Sequence, residues 1–166
     1  SDTGATRIVI LDNVQVTASV DTVFSFSVDG VAAGGTVNGE TITGDTTSTT
    51  IPFGLLEGGV ATTSAQLLTV STNAANGYVV TVQADGALRS STGADIDGFE
   101  NGSYTNTPGN WSTPTGVISQ ENTWGHWGLT SDDYDTGARG ADEFTATDEW
   151  IGVTTTPRAI MGHDGP

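Results

Sequence analysis

The sequence predicts an all-β sandwich, and three observations predict it. Short runs of Val, Thr, Ile and Phe alternate with polar residues, Gly, Asn, Asp and Pro punctuate them at short spacing, and no amphipathic helical stretch of useful length occurs. The clearest run is Leu67–Val82, LLTVSTNAANGYVVTV. Leu68, Val70 and Thr72 alternate with Thr69 and Ser71, and Tyr78, Val80 and Val82 alternate with Val79 and Thr81. Asn and Gly adopt positive φ at low cost, so Asn73–Gly77 between the two halves predicts a β-hairpin loop. The β-branched and aromatic residues on one face of that hairpin would form half of a sandwich core.

A chain of 166 residues suits a single domain with its own core. It contains no Cys, which removes disulfides as a source of stability, and no apolar run of the ~18 residues a membrane helix needs, so no membrane insertion is expected. Four basic residues stand against twenty acidic ones, a formal net charge of −16. Such a surface repels phosphate backbones, so no nucleic acid is expected as a partner. The acid points instead to a solvated surface or to divalent cations. There is no Lys, which rules out Lys–Asn isopeptide bonds and sortase joining through Lys. Assembly of this chain with copies of itself would then be non-covalent or use some other modification.

Taken in order, Thr6-Arg7-Ile8-Val9-Ile10-Leu11 is a short run apolar on both faces, broken by Asp12-Asn13. It predicts either the first core strand or a strand that inserts into a neighbouring subunit, so residues 1–13 are set apart as an N-terminal extension and 14–166 as the sandwich. Val14–Val20 alternates cleanly, and Val23–Val28 places Phe24, Phe26 and Val28 in register. Asn38-Gly39 predicts a tight turn between Gly35–Val37 and Glu40–Ile42. Ile51–Leu56 is an apolar knot whose Pro52 places it at an edge or bulge. Residues 89–147 read as a long loop-rich insertion, the sort of excursion that carries function. Trp124–Leu129 is an aromatic cluster within it. Trp150–Val153 reads as a late strand, and the sequence ends on turn-like residues with no strand expected after them.

Phe53-Gly54-Leu55, the Leu67–Val82 run, Ile96-Asp97 and Trp150-Ile151-Gly152-Val153 together resemble a family of secreted bacterial surface proteins. The N-terminal layout also resembles filament subunits of the TasA and camelysin type and the archaeal bundling pili. The resemblance implies a jelly-roll-like sandwich with an extended N-terminal strand and long loops. It also implies polymerisation by donor-strand exchange, with Thr6–Leu11 as the donated strand and Asp12-Asn13 as its hinge. It further implies C-terminal strands beyond Trp150–Ile160, so the expectation is either a domain that closes differently or an edge completed by a neighbour.

Several residues suggest chemistry. Asp132, Asp133 and Asp135, with Asp142 and Glu143 downstream, resemble the first half of a calcium loop, because Ca²⁺ takes six to eight oxygen ligands. The spacing departs from an EF-hand at Gly137 and Phe144. Asp95, Asp97 and Glu100 form a second, weaker cluster. Trp111, Trp124, Trp127 and Trp150, with Tyr104 and Tyr134, could make a sugar-stacking platform or a core or subunit interface, with Trp111, Trp124 and Trp127 the leading candidates, since aromatic rings offer flat apolar faces. Asn101-Gly102-Ser103 and Asn110-Trp111-Ser112 match the N-glycosylation sequon. Asp2-Thr3-Gly4 and Asp135-Thr136-Gly137 spell the aspartic-protease tripeptide but lack its flanking apolar strand. His126 and His163 are the only histidines, and neither has a recognisable nucleophile or ligand set beside it in sequence. The expectation is a non-enzymatic, extracellular, cell-surface filament subunit that is calcium-free or calcium-binding. Its alternative is a carbohydrate-binding or adhesive β-sandwich module engaging surface glycans.

Overall fold

Strands are set wherever β-branched and aromatic residues alternate with small polar ones, and the computed structural model, which describes residues 17–133, 144 and 146–165, is all-β. Its strands are β1 (Phe24–Gly30), β2 (Thr36–Val37), β3 (Glu40–Thr41), β4 (Gln66–Thr72), β5 (Tyr78–Val82), β6 (Leu88–Arg89), β7 (Asp95–Gly98), β8 (Gly109–Asn110), β9 (His126–Trp127), β10 (Glu149–Trp150) and β11 (Arg158–His163). The only helical element among the described residues is a 3-10 turn, Glu121–Thr123.

The two alternating sets predicted within Leu67–Val82 are present, but they do not form a hairpin. β4 pairs antiparallel with β1, and β5 pairs antiparallel with β11. Phe24, Phe26 and Val28 stand opposite Thr72, Val70 and Leu68, while Ser25 and Ser27 stand opposite Ser71 and Thr69. That register puts the apolar side chains on one face over seven residue pairs, a match the local turn cannot offer. Asn73 then extends this ladder rather than starting a hairpin. Its Oδ1 accepts the Val23 N–H at 2.7 Å, and its Nδ2 donates to the Asp21 carbonyl at 2.9 Å. The loop closes with the Gly77 N–H on the Ala74 carbonyl at 3.0 Å. Gly77 has φ +65° and lies so close to the His163 backbone that a Cβ there would collide with it. Asn73–Gly77 is therefore an arch from one strand pair to the other.

Asn38-Gly39 joins β2 to β3 as predicted, with φ of +48° and +84°, the left-handed pair that a two-residue hairpin turn requires. Residues 17–20 and Ile51–Leu56 are irregular, and residues 14–16 lie outside the described set. β11 lies between the predicted late strand and the turn-like end, where no local pattern marks a strand; a register shift between Ala159 and Met161 breaks its alternation and hides it in the sequence.

Among the described residues, the buried apolar side chains are Ile42, Phe99, Phe144, Trp150, Ile151 and Val153. Most of them belong to the stretch expected to be loops and its C-terminal flank. There β7 pairs antiparallel with β6 and parallel with β9, β8 pairs with β10, and Leu129 and Ile151 exchange backbone bonds of 2.9 and 3.0 Å. The turn after β7 wraps onto Gly152, whose N–H donates to the Thr105 carbonyl at 3.0 Å. A Cβ on Gly152 would lie 2.6 Å from the Phe99 carbonyl oxygen and 2.7 Å from the Tyr104 Cα, so only glycine fits. Gly152→Ala is expected to cost about 1–3 kcal/mol in urea unfolding through overpacking, whereas Gly109→Ala, whose added carbon meets open space, is expected to cost far less.

Candidate functional site: an aromatic groove

Short strands bring four rings together. Trp111 follows β8, Trp150 ends β10, His126 opens β9, and Phe99 follows β7. Trp111 stacks on Phe99 with centroids 5.5 Å apart and planes 12° apart. It meets His126 edge-on at 4.9 Å and Trp150 edge-on at 5.1 Å, and Phe99 meets His126 edge-on at 5.2 Å. These offset and T-shaped pairings satisfy the ring quadrupoles.

His126 is buried, and both ring nitrogens are engaged. Nδ1 accepts the Asn101 N–H at 3.2 Å, so it carries no proton, and Nε2–H donates to the Ser112 carbonyl at 2.9 Å. The ring is thus held in its neutral form. Burial pushes its pKa below the usual value of 6.5, outweighing the Ser112 carbonyl and the Glu100 carboxylate, which pull it up.

Beside this cluster runs a groove of about 460 Å³. Trp111, Trp127 and the buried Trp150 line one side, the Leu56–Thr63 segment lines another, and Glu40, Glu57 and Asp95 contribute carboxylates. Trp124 also lines it and is 62% exposed. Its indole is nonetheless fixed, because Nε1 donates to the Val117 carbonyl at 2.9 Å. The 3-10 turn before it is anchored by buried Thr123, whose Oγ1 donates to the Gln120 carbonyl at 2.7 Å and accepts the Val117 N–H at 2.8 Å. Asp95 pairs with Arg89 at 3.4 Å.

Trp111, Trp124, Trp127 and Trp150, singled out by residue type, are brought into one groove; Tyr104 does not line it, and Tyr134 lies outside the described residues. Glu40 and Glu57 had no local signal for binding: one follows the Asn38-Gly39 turn and the other the Ile51–Leu56 knot, and both of those signals are structural. Asp132 and Asp133 do other work. The Asp132 carboxylate accepts the Asn38 N–H, and the Asp133 carboxylate accepts the Gly162 N–H at 2.9 Å. Asn38 is only 2% exposed; its side chain donates to Thr130 Oγ1 and to the Glu149 carbonyl, and accepts the Asp148 N–H. These carboxylates therefore tie the β2–β3 turn and β11 to the 130–133 loop. Asp135, Asp142, Glu143 and the predicted donor segment Thr6–Leu11 lie outside the described residues. Among the described residues, no group of three or more His, Asp or Glu side chains gathers as metal ligands would.

Glu100, of the weaker acidic cluster, accepts the Ser112 hydroxyl at 2.5 Å. Asn101 is a structural joint: besides its bond to His126, its Oδ1 accepts the Thr115 N–H at 3.1 Å. Asn110 is exposed and donates to Asp148 at 3.2 Å. His163 is exposed and stacks on Tyr78 at 6.4 Å. No family model, curated protein or solved structure matches this chain. No described helix is long and apolar enough to cross a membrane.

Because the folded pKa of His126 lies below its unfolded value, the unfolded chain takes up the proton first as pH falls. Its contribution to stability is therefore intact above about pH 6.5 and is lost as pH drops below that. His126→Gln, which keeps one acceptor and one donor, is expected to lose less stability than the wild type between pH 7 and pH 5. Urea unfolding of both proteins across that range checks this, and equal losses would contradict it.

Proposed function

We propose that this protein is a structural subunit of an extracellular surface filament, with a jelly-roll-like sandwich as its body. Subunits join non-covalently when Thr6–Leu11 of one adds to the sheet of the next. The observation that carries the reading is the β1–β4 ribbon. Its apolar face consists of Phe24, Phe26, Val28, Leu68 and Val70, yet Phe24 is 62% exposed and Phe26 47%. Apolar side chains in strict register, left open to water, mark a surface that a partner covers. β1 pairs only with β4 among the described strands, so it also offers an open edge of backbone N–H and C=O groups.

Thr6–Leu11 has the chemistry to fill such an edge. It spans ~20 Å when extended, close to the length of the seven-residue β1, and its main chain would supply hydrogen bonds while its apolar side chains cover the ribbon. Because donor and acceptor are different parts of the chain, the contact is head-to-tail and propagates into a filament. The absence of Lys leaves non-covalent pairing as the means of joining.

Negative-stain electron microscopy and size-exclusion chromatography test this reading on three proteins: the chain, a variant lacking Ser1–Asn13, and Phe24→Ser/Phe26→Ser. Filaments are expected from the first and folded monomers from the other two. Monomers from all three, or filaments that persist without Ser1–Asn13, would remove the proposal.

A further inference from the structure

We propose that the groove beside the aromatic cluster binds a neutral oligosaccharide. In this site Trp124 stacks on a sugar ring, and Glu40 and Glu57 accept its hydroxyl hydrogens. The inference stands independently of the assembly reading, because the groove shares no strand with the β1–β4 ribbon.

An indole as exposed as Trp124 normally samples several rotamers. Here the Val117 carbonyl holds its N–H, so a flat apolar face is presented to solvent in one orientation. That is the preorganised platform a pyranose ring needs, since the ring's C–H face is apolar and its rim is hydroxylated. Acceptors are available for that rim. The side chains of Glu40 and Glu57 accept no hydrogen bond from any described residue, although both line the groove. The wall also holds an unused donor, the Trp127 Nε1–H, which is buried and has no partner. Flat apolar surface combined with a few convergent polar groups, in a volume of about 460 Å³, falls within the ~300–1,000 Å³ typical of small-molecule sites.

The charge narrows the ligand. A net charge of −16, with three carboxylates at the groove, disfavours nucleotides, sulfated glycans and uronic acids. A quaternary ammonium ion fits the charge but needs several indole faces converging on one point. Trp111 has Phe99 stacked on it and Trp150 is buried, so the groove does not close into such a cage. A neutral sugar chain fits both the shape and the sign.

The test is a tryptophan-fluorescence titration of the full chain and of the chain lacking Ser1–Asn13, with cellohexaose, xylohexaose, mannohexaose and chitohexaose. Saturable binding of at least one glycan is expected in both proteins, insensitive to added salt. Trp124→Ala is expected to weaken it about tenfold or more, the scale of a lost stacking face. Trp124 is exposed, so that variant gives up only its bond to the Val117 carbonyl and should remain folded, as its urea unfolding curve checks. Glu57→Gln, on an exposed residue, is a second variant that should weaken binding without touching the core. The proposal fails if none of the four glycans binds, or if both variants bind as the wild type does. It also fails if tetramethylammonium saturates the signal in the glycans' place and salt abolishes it, which would make the groove a cation site.

Discussion

Trp111 meets Phe99 face to face and His126 and Trp150 edge on, and those contacts tie together segments that share very little sheet. β8, β9 and β10 are two residues long, and ladders that short do not hold a fold by backbone bonds alone. Ring packing supplies what the ladders lack. The hydrogen bonds of His126 to the Asn101 N–H and the Ser112 carbonyl then fix how deep each loop sits against the rings. Asn38 plays the same part at the far side of β10, bonding to Thr130, Glu149 and Asp148 from a buried position. In this half of the molecule, side chains bonded to backbone do the work that long strands do elsewhere.

That division explains which parts of the architecture could be read in the sequence. A period of two is a local signal, so β1, β4 and β5 and the half-buried alternating sets Leu68, Val70, Tyr78 and Val80 were visible in it. So was the Asn38-Gly39 turn, which two adjacent residues specify. Partner choice is not local. Asn73–Gly77 carries hairpin chemistry, yet β4 bonds to a strand about forty residues earlier and β5 to one near residue 160. The core around Phe99, Trp111, His126 and Trp150 has no period at all, because each ring comes from, or directly follows, a different short strand. The groove was half legible for the same reason. Tryptophan is rare and conspicuous, so Trp111, Trp124 and Trp127 could be picked by type, whereas Glu40 and Glu57 are two acids among twenty.

The acid itself has a structural use. Asp132, Asp133, Asp45 and Glu149 each accept a backbone N–H, at Asn38, Gly162, Ala33 and Ala146 respectively. A carboxylate bonded this way satisfies a loop amide that has no ladder partner, and a charged acceptor makes a stronger bond than a carbonyl does. A chain with many loops and no Lys therefore gains from Asp even where ion pairs are scarce. The exposed Arg89–Asp95 pair adds little by comparison.

Placing the ribbon and the groove on separate elements has a consequence for a surface filament. Each subunit in the proposed assembly covers its Phe24–Phe26 face with a neighbour's strand, and the Trp124 groove takes no part in that contact. A single shallow sugar site built on one exposed indole is weak by itself, because it gains one stacking face and a few hydroxyl bonds against the cost of immobilising a flexible chain. Repetition changes the arithmetic. Once one groove on a polymer has engaged a glycan on a surface, the next groove meets its ligand at an effective concentration set by subunit spacing, and linked sites of this kind gain ~10²–10⁴ in avidity without any new contact. Weak sites on a repeating body then hold firmly to a dense glycan layer while releasing isolated sugars. The same division lets the assembly face vary independently of the groove, which instead shares Trp111, His126 and Trp150 with the core rings.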